Sequence, residues 1–248
     1  MPGTLRSRCA RLLFYPIRHV RWRIIAPYAL LTLVLAAGGA YLVTRVVAGS
    51  FEERFNNQLA EASRVAADSV VRHESKHLET VRSVAFTTGL AQAAEADDGA
   101  TVQRLAQPLA ANDHVALIEV LDASGRRIYG ARLNDEQTLA YAPLTDADDR
   151  ASWPMVQSVL SGATDQIGDK YGDIEQTQSG PALYTAGPIF DGDRLAGVVL
   201  IGTPLADLVP EMKAEALADV SIYDAHGAPL ASTLEAESGG DASKLAPA

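Results

Sequence analysis

The sequence predicts an α+β protein: an N-terminal transmembrane helix continuing into a long stalk helix, then an antiparallel sheet module with flanking helices and the start of a second module. Three observations carry this. Ile24 to Thr44 is a run of 21 residues without a charge, long enough at about 1.5 Å per residue to cross a ~30 Å hydrocarbon layer. Ser50 to Thr88 has neither glycine nor proline and is rich in good helix formers. Beyond it, short apolar runs alternate with Asp/Gly turns, the pattern of antiparallel hairpins.

Arg6, Arg8, Arg11, Arg18, Arg21 and Arg23 precede the apolar run, with no acid among the first 23 residues. Such a flank stays in the cytoplasm, so the expected topology is a single pass with the N-terminus inside and the bulk of the chain exported. A cleavable signal peptide is the competing reading, with Ala36 to Ala40 as the cleavage region. Signal apolar cores run about 7–15 residues, however, and this one is longer. Ala36 and Ala40, four apart, also let two anchor helices approach closely, which points to a homodimer.

The net charge of −10 minus the +6 of residues 1–23 leaves −16 for the remainder. An acidic exported part argues against nucleic acid as a partner. The single cysteine, Cys9, lies on the basic flank, so the exported part holds together by packing without disulfides.

The stalk is expected over residues 48–92, with Phe51, Phe55, Leu59, Ala62, Ala66, Val70, Leu78, Val81 and Ala85 at steps of three and four. Thr101 is read as the cap of a short helix over Val102 to Ala111. Val115 to Leu121 and Arg126 to Leu133 form a hairpin around Asp122-Ala123-Ser124-Gly125. Leu139 to Asp149 reads as a loop and Trp153 to Leu160 as a helix. Asp165 to Gly180 is polar, with extended character near Lys170 and Tyr171. Ala182 to Pro188 and Arg194 to Thr203 are strands, and Leu205 to Leu217 a helix interrupted near Pro210. Val220 to Leu230 then repeats Ile118 to Ile128 at a spacing of 102 residues, strand, Asp-Ala-x-Gly and strand again. Two copies of one unit are implied. Residues 235–248 are small and polar, a disordered tail.

This organisation resembles the double-Cache (PAS-like) extracytoplasmic sensor regions of bacterial transmembrane receptors. The resemblance rests on the order of elements. It runs through Asp149-Arg150-Ala151-Ser152-Trp153-Pro154, Leu183-Tyr184-Thr185-Ala186-Gly187-Pro188-Ile189 and Gly197-Val198-Val199-Leu200-Ile201-Gly202-Thr203. It implies a membrane-distal sensor module over 93–208 and the start of a second over 209–234. It also implies a small-molecule ligand, dimerisation through the transmembrane and stalk helices, and an output domain reached through a second span that this sequence does not contain. The second module is cut short, as in a fragment of a longer receptor or an anchored remnant that cannot signal by itself. In amino-acid-sensing relatives an Arg beside an aromatic grips a ligand carboxylate, and a Tyr and a late Asp hold its amine. Arg150 with Trp153, and then Tyr184, fit the first parts. Gly202-Thr203 stands where the late Asp belongs. With Tyr171, these form the expected ligand site. A guanidinium fork suits a carboxylate, and aromatic rings wall an apolar pocket.

His73-Glu74-Ser75-Lys76-His77 is a formal H-E-x-x-H, the zinc-hydrolase pattern on a helix, with Glu95 as a conceivable third ligand. The polar neighbours Arg72, Ser75, Lys76 and Glu79 argue against it. No phosphate loop or nucleophile elbow is present. The expectation is a non-enzymatic ligand sensor with no cofactor or metal. A membrane-anchored zinc metallohydrolase and a ligand-free membrane-tethered scaffold are the alternatives.

Overall fold

The computed structural model describes residues 20–164, 168 and 170–234. The basic flank through residue 19, with Cys9, and the tail 235–248 lie outside the described residues. Two compact units are formed, Met1–Ala60 and Glu61–Ala248.

The first unit is the leading part of helix α1 (Val20–Ala85). It carries Ile24–Val43, 20 residues of mean hydropathy 1.8, apolar and long enough to cross a membrane and exposed throughout. The long helix expected through the stalk is present and continuous in the chain with the apolar run, but it ends at Ala85, short of the expected limit, and a separate helix begins at Leu90.

The second unit contains the rest of α1, then α2 (Leu90–Glu95) and α3 (Gly99–Asn112). Asp98, not Thr101, caps α3: its carboxylate accepts the Thr101 N–H at 3.1 Å. Strands β1 (Leu117–Asp122), β2 (Arg127–Asp135) and β3 (Ala140–Pro143) follow, then a 3-10 turn (Arg150–Ser152) and helix α4 (Pro154–Leu160). After them come β4 (Tyr171–Thr177), β5 (Gly180–Asp191), β6 (Arg194–Pro204), α5 (Leu205–Ala216), β7 (Ser221–Tyr223) and β8 (Pro229–Ser232).

The six-stranded antiparallel sheet has the order β3-β2-β1-β6-β5-β4. The central strands are the apolar ones the sequence marks. The edge strands β3 and β4 correct the expectation of a loop at 139–149 and of mostly irregular chain at 165–180. Both are half-exposed, so they lack the apolar alternation that reveals a strand. Helix α5 also runs through Pro210 without interruption.

Side-chain alternation divides the core. Ile118, Val120, Val199 and Ile201 face Val81 and Val84 of α1 together with α2 and α3. Leu117, Leu121, Ala182, Tyr184, Ala186, Val198 and Leu200 face Trp153 and α4. A third cluster joins α5 to Ala66 and Val70 of α1 and to the β7–β8 hairpin through Ile222, Leu230 and Ala231.

The predicted repeat is reproduced bond for bond. Asp122 accepts from the N–H groups of Ser124 at 2.8 Å and Arg126 at 3.0 Å. Asp224 accepts from His226 and Ala228, both at 2.8 Å. Gly125 and Gly227 complete the two turns at φ 84° and 82°, in the region where only glycine rests without strain.

Candidate functional site

Glu119 sits in the middle of β1 with no exposed surface. Alternation places it between Leu117 and Leu121, on the face that packs against α4. A carboxylate taken out of water at such a position requires charged or hydrogen-bonding partners.

Three elements supply them. Arg150 donates through Nε to Glu119 Oε1 at 3.0 Å and Oε2 at 2.9 Å. Arg127 of β2 donates to Oε2 at 3.1 Å, and the Tyr184 hydroxyl of β5 to Oε1 at 3.0 Å. Arg150 is itself buried, 2% exposed. Its turn is set by Asp149, whose side chain accepts the Ala151 N–H at 3.1 Å, and by Pro154 opening α4. That turn stacks the guanidinium 4.4 Å from the Trp153 ring centre. Trp153 in turn meets Tyr184, 5.0 Å between centroids and tilted by 54°.

The segment between β3 and the turn adds two acids. Asp146 accepts from Arg150 Nη2 at 3.0 Å and also pairs with Arg127. Asp148 Oδ2 lies 3.1 Å from Arg150 Nη1 and accepts the Gln178 N–H, from the β4–β5 turn, at 3.0 Å. Nη1 makes no aligned hydrogen bond despite that proximity. The cluster holds two guanidinium groups against three carboxylates.

The electrostatics follow. Burial alone would lower the Arg150 pKa, but the hydrogen bonds and charge of Glu119 raise it overall. The Tyr184 phenol is pushed up by burial and then by the charge of Glu119, so it remains a donor. Burial works to raise the Asp146 pKa, yet the Arg127 hydrogen bond and the Arg150 charge hold it low. Both arginines and Asp146 are therefore charged at neutral pH.

Of the four expected ligand residues, Arg150, Trp153 and Tyr184 touch one another. Tyr171 packs half-buried against the same apolar cluster. Of the four, Tyr184 lines a narrow cavity of about 20 Å³, together with Leu117, Asp146, Thr177 and Gly180 among others; it holds one water-sized volume. Gly202 lies opposite Tyr184, and a Cβ there would come within 2.6 Å of the ring. The position where the resemblance wants an aspartate is thus a seat for the tyrosine, and Thr203 turns to His77 at 2.9 Å. Sequence reasoning missed Glu119, Arg127, Asp146 and Asp148. Its available signal was Glu119 within the apolar run Leu117-Ile118-Glu119-Val120-Leu121, since a buried acid demands a base.

The H-E-x-x-H residues have other occupations. His73 Nδ1 meets the Ser69 carbonyl at 2.9 Å and Nε2 meets Glu211 at 3.1 Å. His77 meets the hydroxyls of Thr185 at 3.3 Å and Thr203 at 2.9 Å. Glu95 pairs with Arg194 at 2.6 Å. Among the described residues no three His, Cys, Asp or Glu side chains converge as metal ligands.

Residues 52–244 match the family described as the double sensory domain of two-component sensor kinases. No curated protein matches the chain. The sensory domain of the Campylobacter jejuni chemoreceptor Tlp3 is similar in fold, with a TM-score of 0.54 at 13% identity over 74% of this chain and 73% of that one. A structure of the Tlp3 ligand-binding domain in complex with L-valine matches equally well, at 0.54 and 13%, with the same coverage. The V. cholerae histidine kinase DctB sensor domain matches with a TM-score of 0.51 at 14% identity over 71% of this chain and 65% of that one. The chain spans less than two thirds of two further matched structures, 63% and 58% of their lengths. The match over most of its length, with the helix-flanked antiparallel sheet, makes this chain a member of the double-Cache sensory domain family, a sensory module and not a catalytic one.

Proposed function

We propose that this chain is the membrane-anchored, extracytoplasmic sensor of a signalling receptor, binding a small solute on the α4-facing side of its sheet at Arg150, Trp153, Tyr171 and Tyr184. The observation that carries the reading is the buried stack of Arg150 on Trp153 and Trp153 on Tyr184, whose ring lines a narrow cavity. A guanidinium and two aromatic faces recognise an acidic group attached to an apolar body. The Tlp3 ligand-binding domain is solved with L-valine, a solute of that kind.

In this reading Ile24–Val43 spans the membrane once with the arginine-rich flank inside, and two copies associate through α1. Ligand binding signals by shifting the population of two arrangements of the paired helices. The sheet reaches α1 through Val81, Val84 and His77, so a change at β5 and β6 is felt on that helix.

The test is a thermal-unfolding screen of the detergent-purified full chain against small carboxylates, amino acids and amines. The expected outcome is a rise in the midpoint with at least one carboxylate-bearing solute that Arg150→Ala abolishes. Stabilisation that survives Arg150→Ala places the ligand elsewhere, and a screen with no response removes the sensor reading in favour of a scaffold.

A further inference from the structure

Arg150 presents a contradiction. Its guanidinium is buried and three acids surround it, yet Nη1 has no aligned hydrogen bond. Asp148 Oδ2 is close enough, at 3.1 Å, but the same oxygen accepts the Gln178 N–H at 3.0 Å. Asp148 is therefore shared between Arg150 and the β4–β5 turn. Glu119 and Asp146, by contrast, hold Nε and Nη2 with aligned hydrogen bonds at 2.9–3.0 Å.

From this we infer that Asp148 is an internal stand-in for a ligand carboxylate: a latch that occupies the Nη1 edge of Arg150 and ties the 144–149 segment to the β4–β5 turn until a carboxylate-bearing solute displaces it. The inference deepens the proposed sensor site and rests on it. It adds the residue that competes with the ligand and the movement that binding entails.

Charge balance explains why Asp148 must leave. With two guanidinium groups against three carboxylates, a fourth carboxylate entering the buried cluster is strongly disfavoured. Exchange of one carboxylate for another leaves the balance unchanged, and the newcomer can align on Nη1 as Asp148 does not. Of the three acids, Asp148 is the one free to go. Its side chain is 18% exposed, against 0% for Glu119 and 9% for Asp146. Release of Asp148 also frees Gln178, so binding is coupled to motion of the β4–β5 turn, whose Thr177 and Gly180 line the cavity.

Trp153 reports on this exchange because it stacks on Arg150. The only other tryptophan is Trp22, so the full chain in detergent carrying Trp22→Phe has a single reporter. Sodium acetate is the probe, titrated against sodium chloride at matched ionic strength. Asp148→Asn removes the competing charge and keeps the shape. It is expected to lower the acetate concentration for half-maximal fluorescence change roughly tenfold, the worth of one charge-assisted hydrogen bond. Acetate is expected to speed hydrogen exchange at the Gln178 amide in the unsubstituted chain. Equal acetate midpoints, or a Gln178 amide indifferent to acetate, overturn the latch while a response lost in Arg150→Lys leaves the carboxylate site standing. No acetate response in either protein overturns the carboxylate site and the latch together. Far-UV circular dichroism of each variant separates these results from failure to fold.

Discussion

At the scale of single residues, the buried charges decide what this face of the sheet tolerates. Removing one member of a buried ion pair leaves its partners uncompensated, so Glu119→Gln is expected to cost about 3–5 kcal/mol. Tyr184→Phe removes only one hydrogen bond and is expected to cost about 1–2 kcal/mol; urea unfolding followed by circular dichroism ranks the two. Gly202→Ala forces a Cβ toward the Tyr184 ring and lowers stability by about 1–3 kcal/mol. His77 gives the molecule a defined pH response. Burial first, then the charges of His73 and Lys76, hold its pKa down to about 4 from an unfolded value of 6.5. Both states are neutral above pH 6.5. Between 6.5 and 4 the unfolded chain takes up a proton that the folded one refuses, so stability falls with acidification, by roughly 3 kcal/mol across the window. Thermal midpoints of His77→Gln are expected to lose that slope. Arg150, Trp153 and Tyr184, though not Arg127, were legible as members of this cluster because they stand in recognisable segments. Their acidic counterparts were not, since Asp146 and Asp148 look like any polar loop until folding closes them over Arg150.

At the scale of elements, the hairpins were read from the sequence because their turns are determined locally. Each needs one carboxylate and one glycine at fixed offsets, and both copies have them. The copies differ in what surrounds them. A Cβ on Gly125 would meet Ala151 at 2.6 Å, whereas one on Gly227 meets nothing within 4 Å. Gly227→Ala therefore carries only the backbone strain of a positive φ, about 1 kcal/mol, and Gly125→Ala exceeds it by the cost of moving the turn that holds Arg150. Chemical denaturation of the two variants tests the order. The edge strands β3 and β4 escaped the sequence for the opposite reason. Each pairs with its neighbour in the chain, Leu133 with Tyr141 and Tyr171 with Ala186, but their turns lack the Asp-Ala-x-Gly signature and their half-exposed residues lack apolar alternation.

At the scale of the whole molecule, the prediction is topological. In the proposed topology the apolar run Ile24–Val43 spans the membrane with its arginine-rich flank inside, and the sheet lies outside the cytoplasmic membrane. A Cys9→Ser, Ser124→Cys variant in intact cells is expected to react with a membrane-impermeant maleimide, because Ser124 is an exposed turn residue of the sheet unit. The unsubstituted chain, whose single cysteine is Cys9, is expected to react after lysis alone. The reverse pattern would invert the receptor.

The buried cluster has a consequence for how the molecule is made. Glu119 is translated 31 residues before Arg150 and 65 before Tyr184. Until both have emerged, the acid has to stay hydrated, and β1 cannot seat its α4-facing side without stranding a charge. The apolar face toward α1 carries no buried acid, but it too waits on later chain, because Ile189, Val199 and Ile201 belong to it. Neither side of β1 can close before β5 and β6 are made, so a ribosome-bound chain stopped short of Tyr184 is expected to be open on both sides and readily cut by a protease, and the two sides seal together once β6 pairs with β1.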